Sequence, residues 1–133
     1  MEIISKSEKN TQEIAFEYAK TLSKGDVVLL NGDLGAGKTA FTKGVAKYFG
    51  IDGVTSPTYA YLNVYNDLIY HYDCYRLSSG EDAEGLGLTD YFYSDGICII
   101  EWPMNIADVL PKKHKRVTIL KTGENTREII IEE

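Results

Sequence analysis

The 133-residue sequence predicts an α/β fold: a three-layer sandwich with a mixed, mostly parallel central sheet and antiparallel strands added late. Three observations carry this expectation. Strand-like and helix-like periodicities alternate through the first part of the chain. The run 26–31 (DVVLLN) is apolar almost without a break, as in strands covered on both faces of a parallel sheet. The later part instead offers strand-length segments joined by short turns, the pattern of antiparallel hairpins.

Residues 1–5 have the short apolar centre of a strand. Asn10 is a candidate helix N-cap with Glu13 three positions on, the spacing at which two side chains satisfy each other's orphan N–H groups. Ile14, Ala15, Tyr18, Ala19 and Leu22 recur at helical spacing, and Gly25 offers a left-handed stop, so 11–23 reads as an amphipathic helix. The strand at 26–31 leads through a glycine-rich loop into a second helix over about 38–49. Phe41, Val45, Tyr48 and Phe49 form its apolar side, and Gly50 ends it. Gly44 inside this helix costs ~1 kcal/mol relative to alanine, which close approach to the sheet would explain. Segments 59–65 and 68–72 flank the Asn66-Asp67 turn as a hairpin, and 97–101 reads as a further buried strand. Segments 117–121 and 127–132 form a terminal hairpin. Short helices fit 81–86, 89–93 and 106–110. No repeat, low-complexity tract or linker interrupts the chain, and its length suits one domain over 1–133.

An apolar fraction of 44% spread along the chain argues against disorder. No apolar run approaches the roughly 18 residues needed to cross a bilayer, and the N-terminus lacks a signal-peptide pattern. Cys74 and Cys98 have no C-x-x-C spacing and read as buried thiols in a reducing compartment, so the expected location is cytoplasmic. The net charge of −6 argues against a broad nucleic-acid surface. The one basic cluster, residues 112–116, reads as a solvated loop before a strand.

The chemistry concentrates in Gly32-Asp33-Leu34-Gly35-Ala36-Gly37-Lys38-Thr39, a gapless match to G-x-x-x-x-G-K-[ST] placed between a buried strand and a helix. Glycines at 32, 35 and 37 let the backbone bend into a nest of inward N–H groups, and the following helix adds its positive N-terminal end. Lys38 would reach the β- and γ-phosphates of a nucleotide, and the Thr39 hydroxyl would coordinate Mg²⁺. The fold expected is therefore that of a P-loop nucleoside triphosphatase. Two acids end strand-like segments, as the metal and the attacking water require: Glu101 after ICII, in the Walker B manner, and Asp73 after YHY. Trp102, the only tryptophan, is a candidate surface for the base, or else a packing residue. No guanine-reading N-K-x-D segment is present, which favours ATP over GTP. His71 reads as a hydrogen-bonded structural histidine. A small-molecule kinase is disfavoured, because three arginines leave little to clamp a second phosphate.

Four segments in this order and spacing, GDLGAGKT at 32–39, SPTY at 56–59, HYDCYRL at 71–77 and EWP at 101–103, resemble the TsaE family. That family is the ATPase component of the bacterial machinery that installs threonylcarbamoyladenosine on tRNA beside the anticodon. The likeness runs from the first helix to Arg127. It implies catalytic roles for Lys38, Thr58, Asp73 and Glu101, with Thr58 as the switch threonine that senses the γ-phosphate. It implies Mg²⁺ at Thr39, Glu101 and Asp73, and ATP held by Gly35, Ala36, Gly37, Lys38, Thr39 and Ala40. Trp102 would lie beside the adenine, with Thr11 and Arg127 near the nucleotide. Ala40 departs from relatives that carry a second hydroxyl there, leaving only a backbone contact. The implied partners are the two paralogous subunits of the threonylcarbamoyl transferase heterodimer, on which the ATPase docks and which hydrolysis resets. Turnover would be slow alone, and tRNA would be met only indirectly.

Overall fold

A computed structural model describes residues 1–57 and 60–132. In chain order the elements are β1 (Glu2–Ser5), α1 (Glu8–Ala19), β2 (Val27–Asn31), α2 (Lys38–Tyr48), β3 (Leu62–Tyr65), β4 (Ile69–Asp73), α3 (Gly80–Gly85), β5 (Ile97–Glu101), β6 (Lys115–Lys121) and β7 (Arg127–Glu132). Short 3₁₀ turns cover Leu88–Tyr91 and Pro103–Val109. One seven-stranded sheet runs β1-β7-β6-β2-β5-β4-β3. Its four inner strands, β6, β2, β5 and β4, are mutually parallel, while β3, β7 and β1 join antiparallel. The mixed, mostly parallel sheet expected from the sequence is thus what the chain builds.

Residue parity assigns each strand side chain to a layer. Val28, Leu30, Ile69, Ile97, Ile99, Val117 and Ile119 pack with Ala15, Ala19, Phe41 and Val45 beneath α1 and α2. On the opposite face Val27, Leu29, Tyr72, Cys98 and Ile100 pack with Ala83, Leu88, Phe92 and Ile106, from α3 and the 3₁₀ turns. β2 is buried on both faces, as its unbroken apolar run requires. Cys74 and Cys98 are free and buried, and burial pushes both thiols up to about 12.

Several local expectations are corrected. α1 begins three residues before residue 11, and its N-cap is Ser7, whose hydroxyl accepts from the Asn10 N–H at 3.0 Å. Asn10 instead accepts from the Lys6 N–H, so the Asn10–Glu13 capping box does not form. The helix also stops at Ala19, well before Ser23. The first hairpin strand begins only at Leu62, because Ala60 and Tyr61 turn back onto the Pro57 carbonyl; Tyr59 lies outside the described residues. The segments at 89–93 and 106–110 fall in 3₁₀ turns, and the short α-helix at 81–86 is found at Gly80–Gly85. Lys115 and Arg116 are not loop residues but open β6, where Lys115 pairs with Asp26 at 3.3 Å. Tyr48 is 40% exposed and stacks edge-on against Phe16 and Phe49, so it sits outside the core.

Gly44 is required by α1 rather than by the sheet. A Cβ there would lie 2.2 Å from the Gln12 carbonyl oxygen and 2.7 Å from the Ala15 Cβ. The two helices cross at this point, and the contact sets how closely α2 seats on its neighbour. Gly44→Ala should therefore destabilise the fold by about 1–3 kcal/mol despite its better helix propensity. Urea denaturation followed by circular dichroism measures this, and an unchanged or raised midpoint contradicts the close contact.

Candidate functional site

The glycine loop leaves the C-terminal end of β2 and enters α2 at Lys38, at the edge of the parallel strands where open α/β sheets bind ligands. Gly35 and Gly37 adopt φ of 78° and 105°, a left-handed geometry that side chains with a Cβ resist. Gly32 is required for space: a Cβ would lie 2.9 Å from the Ile119 carbonyl oxygen of β6. Phe41 is the residue whose N–H closes back on the Gly37 carbonyl, at 3.0 Å. The helix geometry leaves the N–H groups of Lys38, Thr39 and Ala40 without intrahelical acceptors, aimed out of the helix end. That is an anion-binding arrangement.

Register brings the acids to this loop. In the β2–β5 pair Leu30 lies opposite Glu101, and in the β4–β5 pair Asp73 lies opposite Glu101. Asp73, Glu101 and Lys38 are all buried. Glu101 Oε1 stands 3.7 Å from Lys38 Nζ, and its Oε2 is hydrogen-bonded to His71 Nε2. Asp73 Oδ1 accepts from the Tyr75 N–H at 3.0 Å, which fixes that carboxylate at the strand end. Lys38 Nζ also lies 4.0 Å from the centre of the Trp102 ring, a cation–π contact. Burial lowers the Lys38 pKa below its usual 10.5, and the charges of Glu101, Asp73 and Asp33 act in the opposite sense. Among the described residues the ammonium has no hydrogen-bond partner. A buried cation with no hydrogen bond among the described residues, beside the open amides of a helix end, can receive a polyanion.

Trp102 owes its position to a left-handed backbone, φ 55° and ψ 49°, directly after β5. For a bulky residue this costs about 1–3 kcal/mol. Its ring packs on Tyr75 with centroids 5.0 Å apart, and Asn105 donates to the Cys74 and Tyr75 carbonyls, tying this turn to the chain after β4.

These groups surround a cavity of about 580 Å³. Gly35, Ala36, Gly37, Lys38, Thr39, Ala40, Asp73, Glu101, Trp102, Thr11 and Arg127 all line it, so the structure gathers every expected site residue that it describes. Thr58 lies outside the described residues; Ser56, two positions earlier, is on the cavity wall. Thr11 is tied to Ser5 by a 2.6 Å hydroxyl pair. Arg127 shows a use that spacing did not reveal. Its Nε donates to the Ala36 carbonyl at 2.8 Å and its Nη2 to the Gly35 carbonyl at 3.3 Å, while Nη1 holds carbonyls of the β6–β7 turn, including Thr126 at 2.9 Å. The guanidinium braces the outer face of the loop, drawing its carbonyls away from the amide nest.

Residues missed at the sequence level include the His71 contact to Glu101 and the wall contributed by Ser7, Glu8, Tyr75, Arg76, Glu124 and Asn125. His71 and Glu101 each sit two residues from a neighbouring register partner, so only strand pairing could have joined them. As for metal ligation, no group of three or more His, Cys, Asp or Glu among the described residues is arranged to hold an ion alone. The donors present are two carboxylates and a hydroxyl. That set suits Mg²⁺, which takes few protein ligands and completes its shell with water and phosphate oxygens. No helix of the described residues is long and apolar enough to cross a membrane.

Fold and site together define a P-loop-like α/β protein. A family model described as "Threonylcarbamoyl adenosine biosynthesis protein TsaE" matches residues 5–129, and the chain belongs to the TsaE family. It is 42% identical over 125 residues to the tRNA threonylcarbamoyladenosine biosynthesis protein TsaE of Bacillus subtilis, covering 91% of this chain and 78% of that protein. The protein of the same description from Treponema pallidum is 37% identical over 134 residues, covering 98% of this chain and 99% of its own. A crystal structure of Bacillus subtilis YdiB superposes with a TM-score of 0.81 at 37% identity, covering 97% of this chain and 82% of that one.

The Arg127 brace generates a test that needs no ligand. Arg127→Met should speed amide exchange at Ala36, whose N–H donates to the Asp33 carbonyl, by roughly tenfold, the loss of about 1.4 kcal/mol of local protection expected from charge-assisted hydrogen bonds. Exchange in β2 should stay unchanged. Hydrogen exchange read by NMR measures both, and equal acceleration in both places contradicts a local brace.

Proposed function

We propose that this protein is an ATP-binding and ATP-hydrolysing subunit that supports tRNA N6-threonylcarbamoyladenosine formation. Family membership supports the role in threonylcarbamoyladenosine biosynthesis, since both relatives described above carry that function in their descriptions. The observation that carries the nucleotide reading is the Lys38 ammonium: buried, without a hydrogen bond among the described residues, at the open end of α2 and beside two acids.

On this reading the N–H groups of Gly35 and of Gly37 to Ala40, with the Lys38 ammonium, hold the phosphates; Ala36 lines the site while its N–H donates to the Asp33 carbonyl at 3.0 Å. The Thr39 hydroxyl with Glu101 and Asp73 would hold Mg²⁺. Held there, the metal would supply positive charge to offset the negative charge that develops in phosphoryl transfer. Glu101 and Asp73 also orient water for attack, and Thr58 responds to the γ-phosphate. Lys38 leaves its place over Trp102 for the phosphates, which frees the indole to stack on adenine. Thr11 supports the nucleotide from the start of α1, and Arg127 does so by holding the loop.

Residues 1–133 act as one ATPase domain in the cytoplasm. The acidic net charge of −6 fits a subunit that meets tRNA through its partners. Those partners are the two paralogous subunits of the transferase heterodimer, which this protein docks on and resets. Turnover is slow alone, because completing such a site often requires a partner.

Lys38→Ala should weaken ATP binding about 10- to 100-fold, from the 1.5–3 kcal/mol of a charge-assisted hydrogen bond, with the circular dichroism spectrum kept. Titration calorimetry with Mg²⁺ and ATP reads this, and unchanged affinity contradicts the site. For the partner reading, the purified protein should retain the two transferase subunits from lysate in an ATP-dependent manner, and adding them should raise phosphate release. Recovery of unrelated proteins alone, with no stimulation, counts against docking.

A further inference from the structure

His71 is fully buried on β4, two residues before Asp73 and so on the same sheet face as Asp73 and Glu101. Its Nε2 lies 2.5 Å from Glu101 Oε2. An ionised carboxylate only accepts hydrogen bonds, so the ring proton sits on Nε2 and is donated. Nδ1 has no hydrogen-bond partner among the described residues. Among the described residues the ring thus meets the carboxylate through Nε2 alone. The two oxygens of Glu101 are thereby divided. Oε2 is committed to the histidine, and Oε1 is the oxygen that faces Lys38, at 3.7 Å.

We propose that His71 is a positioning residue that pins Glu101 by Oε2, so that Oε1 alone is presented to the cations above the glycine loop. Without the ring, Glu101 is free to turn about its last side-chain bond and to engage Lys38 with both oxygens. That competes with the phosphates for the ammonium and with Mg²⁺ for the carboxylate. The alternative is that His71 only fills space in the sheet face. The two differ in what a substitute must supply: a donor at the Nε2 position for the first, and volume for the second. Glutamine places an amide N–H near that position, whereas leucine keeps bulk without a donor.

The inference rests on the nucleotide reading above for its consequence, but the pinning itself has an independent readout. Parent, His71→Gln and His71→Leu proteins are titrated with a fluorescent ATP analogue, once with Mg²⁺ and once with chelator, beside thermal melts. His71→Leu should lower the affinity measured with Mg²⁺ about 10- to 100-fold, the usual effect of losing a group that orients a metal ligand. Its affinity in chelator should change far less, and His71→Gln should recover most of the loss. A leucine variant with the parent's response to Mg²⁺, or a glutamine variant as impaired as leucine, overturns the proposal.

The ¹⁵N spectrum of the parent's imidazole rings covers the remaining cases. His71 should show a slowly exchanging proton on Nε2; an Nε2 without a proton overturns the pinning even if the leucine variant does not fold. Should the parent bind no nucleotide with Mg²⁺, the functional reading falls by itself, and the location of that proton still decides whether Glu101 is pinned.

Discussion

The register of three parallel strands is the constraint on which this site depends. β2, β5 and β4 are aligned so that Leu30, Glu101 and Asp73 form one row across the sheet, one residue before the chain leaves β2. Strand side chains alternate between faces, so a slip of one residue in β5 would carry Glu101 to the opposite face, among Tyr72 and Ile100. The apolar runs that lock the register are therefore also what aim the acids at the loop. Packing and chemistry are decided by the same pairing.

Burial makes that alignment costly. Lys38, Glu101, Asp73 and His71 all lie out of water, and one cation stands against two carboxylates within the group. The lysine meets Glu101 at 3.7 Å and the face of Trp102 at 4.0 Å, contacts that soften its desolvation without supplying a hydrogen bond. Desolvation also lowers its pKa, the mark of an ammonium short of partners. On the proposed reading, phosphate oxygens give the ammonium its bonds and Mg²⁺ balances the acids.

Around this centre the chain stiffens the loop from two sides. α2 is seated against α1 at Gly44, where no side chain fits, and Arg127 reaches from the far hairpin to hold the Gly35 and Ala36 carbonyls. The left-handed backbone at Trp102 then folds the indole back over Lys38. Strain of this kind persists where surrounding contacts over-determine it, and here Asn105 and Tyr75 supply those contacts.

Much of this was legible in the amino-acid order alone. The buried run of β2, the glycine loop, the helix after it and the acid at the end of β5 are local patterns, readable because each follows from neighbouring residues. Local ambiguity produced the errors. Ser7 and Asn10 are both competent caps, and the choice fell to Ser7 because α1 must begin early enough for Thr11 to meet Ser5. Gly44 was recognisable as anomalous, but only the crossing of two helices identifies what it makes room for. The pairing of His71 with Glu101 and the bracing of the loop by Arg127 join residues 30 and 91 positions apart. Nothing in their spacing predicts either contact, because strand order and register arise from how two apolar faces are buried together. The sequence by itself determined which groups could grip a polyanion; tertiary structure decided which of them stand close enough to act as one, since distance in a fold is set by packing and not by position along the chain.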